Sequence, residues 1–117
     1  MRTAFVTAIA LVATALPLAA TAAPTASATV KPVIIRITAV NGRPVGGIQR
    51  PTVKKGQTVR LVVKTNVGTQ VHLHGYNIEK NIKKGVPTVI QFVAKVQGRF
   101  ALELHPMDAQ LAQITVK

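Results

Sequence analysis

Two short segments hold every histidine of this 117-residue chain: Val71-His72-Leu73-His74 and Leu104-His105-Pro106-Met107. On a strand, His72 and His74 share one side about 7 Å apart, because side chains alternate faces. In Val71-His72-Leu73-His74 the parity of Val71 and Leu73 is the core parity, so both histidines point the other way. A bulge at Gly75 is the alternative that would turn His74 out of register. In residues 100–105, Phe100, Leu102 and Leu104 take the core parity, which sends Glu103 and His105 outward. A His-x-His pair with His105 and Met107 offers imidazole and thioether donors. Together they suit copper; imidazole alone also suits Zn²⁺ or Ni²⁺. The competing reading is that these histidines cap strand ends and bond neighbouring carbonyls or Glu103.

Other chemistries lack their parts. The chain has no Cys, so it has no disulfide, thiolate metal site or cysteine nucleophile. Ser27 is the only serine and lies in the N-terminal segment, which removes a Ser-His-Asp hydrolase. Glu79, Glu103 and Asp108 are the only carboxylates, and Glu79, next to Lys80, reads as that lysine's solvated partner. No Gly-rich phosphate loop precedes a helix. The expectation is a protein that is not an enzyme.

The elements that must position these residues are strands. Apolar stretches at residues 30–40, 58–65, 70–76, 88–94, 99–105 and 111–116 are punctuated by Gly, Pro and Asn, as at Asn41-Gly42 and Lys83-Lys84-Gly85. Strands at this spacing describe an antiparallel sandwich or barrel. Residues 1–22 read as a helical signal peptide: Arg2, an uncharged 13-residue apolar run over 4–16, Pro17, and Ala20-Thr21-Ala22 as the cleavage signal. That run is shorter than the ~20 apolar residues of a spanning helix, so no transmembrane segment is expected after cleavage. With no Cys after it, a lipoprotein anchor is excluded. Residues 23–29 read as a flexible leader and residues 30–117 as one domain. The expected location is periplasmic or secreted.

Charge points to partners. The chain carries 15 Lys+Arg against 3 Asp+Glu, a net +12, and removal of the leader with Arg2 leaves 14 against 3, or +11. The cations are scattered, and only Tyr76, Phe92 and Phe100 are aromatic beyond the leader. Nucleic acid is therefore not an expected partner, since base stacking and a reading helix are both missing. An anionic membrane, a cell-wall polymer or an acidic protein partner fits better.

Residues 54–117 resemble the cupredoxin-like domains of exported bacterial proteins. The resemblance rests on K-K-G-Q-T-V-R-L opening a strand, V-H-L-H-G-Y, T-V-I-Q-F-V-A-K-V-Q-G-R-F-A-L-E-L-H, and the terminal Gln113-Ile114-Thr115-Val116. It implies an all-β, Greek-key antiparallel β-sandwich with any metal site at one pole. It further implies a first ligand at His72 or His74 and further ligands at His105 and Met107. Leu104 falls about where the family carries its thiolate, so a type 1 blue copper centre is excluded. What remains is a copper carrier, buffer or delivery protein with a metal-donor or metal-acceptor protein as partner. The alternative is a metal-free interaction module that works through its basic surface.

Overall fold

The computed structural model describes residue 4 and residues 8–23, 30–68 and 70–117. Among these, nine strands and no helix are found: β1 (Val33–Val40), β2 (Arg43–Pro44), β3 (Thr52–Val53), β4 (Thr58–Thr65), β5 (Gln70–Leu73), β6 (Ile78–Asn81), β7 (Thr88–Val93), β8 (Gly98–His105) and β9 (Ala109–Val116). Residues 8–23 form no regular element and are exposed. Residues 1–3, 5–7 and 24–29, on which the start of the expected signal peptide and most of the expected flexible leader fall, lie outside the described residues. Among the described residues no helix is long and apolar enough to cross a membrane.

The strands form two sheets, ordered β2-β1-β4-β7 and β3-β9-β8-β5-β6. Alternation builds the layer between them. Ile35, Ile37 and Ala39 of β1 are buried while their neighbours are exposed, and Leu61 and Val63 of β4 and Ile90 and Phe92 of β7 continue the same inner face. The other sheet contributes Val71, Leu73, Leu102, Leu104, Leu111 and Ile114, all fully buried. β1 starts three residues later than the apolar stretch does, because Pro32 has no N–H to give a ladder.

The expectation of a purely antiparallel sandwich needs correcting: β1 pairs with β4, and β3 with β9, in parallel. Between β1 and β4 the chain visits the opposite sheet as β3. A chain that crosses over and returns runs parallel to the strand it left. Both sheets are therefore mixed.

Candidate metal centre

The ladder between β5 and β8 decides where the histidines go. Its register pairs Gln70 with His105, Val71 with Leu104, His72 with Glu103 and Leu73 with Leu102. Since Val71, Leu73, Leu102 and Leu104 are fully buried, their neighbours in the chain occupy the outer face of the five-stranded sheet. β5 ends at Leu73, yet the His74 N–H still donates to the Ala101 carbonyl at 3.0 Å and extends the ladder by one row. The turn that follows is held by Tyr76. Its ring packs on Phe92 and Phe100 at 4.6 and 4.8 Å between centroids, and its hydroxyl donates to the Val96 carbonyl at 3.1 Å. Gly75 makes the turn with φ +81°, and a Cβ there would collide with the Phe100 ring.

On this face the three imidazoles meet. Ring centroids of His72 and His74 are 4.2 Å apart, those of His72 and His105 5.7 Å, and those of His74 and His105 6.5 Å. One nitrogen from each ring lies within 4.8 Å of the others, a spread that a single ion can bridge. His72 and His105 are half-buried and His74 is exposed, so the cluster is open on one side.

Each imidazole has its own carboxylate. Glu103 Oε2 lies 2.8 Å from His74 Nε2, Asp108 Oδ1 lies 2.8 Å from His105 Nδ1, and Glu79 Oε1 lies 3.9 Å from His72 Nδ1. An ionised carboxylate only accepts, so the first contact puts the hydrogen of His74 on Nε2 and leaves Nδ1 with its lone pair. Asp108 meets His105 as a close charge partner at Nδ1. The Nε2 of His105 is buried and has no hydrogen-bond partner. A buried nitrogen without a partner is costly in a purely structural role and is what a metal ligand needs. The donor set thus fits a metal ion.

The expected partnership of Glu79 with Lys80 is not what forms. Glu79 stands opposite His72 in the β5–β6 ladder, and Lys80 Nζ donates to the Val89 carbonyl at 2.7 Å. Residues adjacent in a strand point to opposite sides, so a carboxylate meets its cross-strand neighbour more readily than the next residue. Glu103, a residue the sequence marks as outward-facing, sits opposite His72 and reaches His74. Asp108 closes on His105 from the β8–β9 turn.

Two placements depart from the resemblance. The histidine cluster lies on the outer face of a sheet, not at a pole. Leu104, at the thiolate position, points into the core, with its side chain against Gly68. Met107 is in the turn after β8, 43% exposed, and its Sδ lies 2.6 Å from where a Cβ on Gly42 would stand. Its sulfur is thus seated over the β1–β2 turn.

No family model and no curated protein matches this chain. Solved structures share its fold. A copper binding protein in the apo form, determined by NMR in solution, has a TM-score of 0.59 at 18% identity, over 72% of this chain and 86% of that one. The metal binding domain of the Cu(I) exporting P-type ATPase CopA of Streptococcus pneumoniae D39, determined with Cu(I), has a TM-score of 0.59 at 21% identity, over 72% and 84%. A heme-copper terminal oxidase chain has a TM-score of 0.58 at 16% identity, over 73% of this chain and 65% of that one. The two mixed sheets and these likenesses show the cupredoxin-like β-sandwich expected from the sequence, at the level of fold.

Proposed function

We propose that this protein holds copper on the outer face of its five-stranded sheet and acts as a carrier, buffer or delivery protein outside the cytoplasm, in the periplasm or as a secreted protein. His72, His74 and His105 are the ligands, while Met107, which the resemblance also implies, has its sulfur seated over the β1–β2 turn and is not needed for the reading. The observation that carries the reading is the convergence of three imidazole nitrogens within 4.8 Å, one residue of the three having a buried, unpartnered Nε2. Two structural neighbours, a copper binding protein and a Cu(I) exporter's metal binding domain, support copper as the ion. Copper held there would pass to or from a metal-donor or metal-acceptor protein by ligand substitution, the incoming protein's donors replacing these imidazoles. A chain without Cys has no thiolate to make a fast blue electron-transfer centre, and the reading is of a binding protein, not an enzyme.

The test is titration of the full chain with Cu(I) and Cu(II) beside a His72→Ala/His74→Ala/His105→Ala variant. One equivalent bound by the parent and none by the variant is expected; equal binding by both sinks the proposal.

A second reading has one observation behind it. The only three carboxylates of the chain all lie at the histidine cluster, so the outer face of the four-stranded sheet, with Arg36, Arg60 and Lys64, faces solvent without an acid. That face suits an anionic surface or an acidic protein, and it can coexist with copper binding on the opposite sheet.

A further inference from the structure

The pairing of three carboxylates with three histidines says which form of copper the site takes. We infer that the ion is divalent, Cu(II) in preference to Cu(I), and that Glu103 and Asp108 set the preference as positioning residues. The inference rests on the histidine cluster being a copper site.

Charge is the first part of the argument. Elsewhere the chain is all cation, with 15 Lys+Arg and every carboxylate spent at this one face. An ion at the imidazole nitrogens therefore has three negative groups beside it. Their attraction scales with the charge of the ion, so it is twice as large for Cu(II) as for Cu(I) at the same position. The Glu103 side chain is three-quarters buried, which limits the screening of its share by water.

Ligand character is the second part. A carboxylate that accepts the far N–H of an imidazole makes the near nitrogen a stronger, harder donor and fixes its tautomer. Glu103 does this to His74 at 2.8 Å, and Asp108, with Oδ1 2.8 Å from His105 Nδ1, adds its charge beside the second imidazole. Cu(I) is favoured by soft donors, and here no thiolate exists and the Met107 sulfur is seated against Gly42. Among divalent ions, nitrogen sites bind copper more tightly than zinc. The exposed side of the cluster at His74 leaves room for the water ligands that a higher coordination number needs.

The experiment is chelator competition on the full chain with Cu(II), Zn(II) and, under anaerobic reduction, Cu(I), for the parent, Glu103→Gln and Asp108→Asn. Asp108 is exposed in a turn, so its variant folds even if Glu103→Gln does not, and circular dichroism checks both. Each variant should weaken Cu(II) by about 10- to 100-fold. The loss for Cu(I) should be about half as large on a logarithmic scale. The nitrogen splittings in the Cu(II) electron paramagnetic resonance spectrum should shift as well. Equal losses for both oxidation states, or no loss in either variant, overturn the inference while leaving copper binding intact. So does displacement of Cu(II) by equimolar Zn(II) from the parent. If the parent binds neither Cu(I) nor Cu(II), the copper reading itself has failed.

Discussion

Leu104 and His105 are neighbours in the chain and lie on opposite faces of the same strand, the leucine fully buried and the imidazole on the outer side with its Nε2 unpartnered. One step of strand thus separates core from site. A thiol installed at Leu104 enters the hydrophobic layer and does not reach the three imidazoles.

Leu104→Cys is therefore expected to leave copper binding at the histidine face and to produce no intense thiolate-to-copper absorption. Appearance of a blue band in the loaded variant would show that the two faces communicate. The companion change Leu104→Ala should cost about 2–5 kcal/mol of stability in urea unfolding, as for other fully buried leucines.

His105→Phe separates function from stability. It removes the one buried side-chain nitrogen without a partner among the described residues and keeps a flat ring. Copper binding should fall by at least the share of one ligand. The apo form should stay as stable or gain about 1 kcal/mol, because a buried unsatisfied group is no longer desolvated. Thermal unfolding without metal checks this, and a marked drop would mean that the His105–Asp108 contact matters more to the fold than the orphaned nitrogen costs.

Gly75→Ala tests how His74 is placed. The turn needs φ +81°, and the added Cβ meets Phe100. The variant should lose more than about 1 kcal/mol and bind copper more weakly, since both strain and clash act on the residue after His74. Unchanged affinity would mean that His74 is not a ligand.

The basic face makes a separate prediction. The full chain should bind vesicles containing anionic lipid at low salt and release as salt rises, over a range set by a screening length of about 8–10 Å. Arg36→Glu/Lys64→Glu should weaken that binding, and His72→Ala should not, because the residues lie on different sheets. Equal effects from both would remove the four-stranded sheet as the contact surface.

Much of this was legible in the chain itself. Residues 58–65 form β4 with the bounds that Gly56 and Asn66 suggest, and the parity of Val71, Leu73, Leu102 and Leu104 places His72, Glu103 and His105 on one outer face, as alternation requires. Three features were not legible. β2, β3 and β6 are two to four residues long, too short for a period-two pattern to register. The parallel pairing of β1 with β4 depends on which sheet the intervening chain joins, and that is settled by packing. Glu103 is legible in the sequence as a partner for a histidine, but that it takes His74, and that Glu79 faces His72, depends on the register of β5 with β8 and β6.

The proposed ligands sit on two different strands of one ladder, so a bound ion would give the protein a mechanical property its chain otherwise lacks. An ion held by His72 on β5 and His105 on β8 ties together positions 33 residues apart (105 − 72), in a molecule with no cysteine for a permanent tie. Loading then toughens the fold: ion at 100 times its dissociation constant adds about 2.7 kcal/mol to unfolding. A calorimetric melting point that does not rise on loading would contradict this. In the proposed delivery role, release of the ion undoes this tie, and a spent carrier should unfold more readily than a charged one.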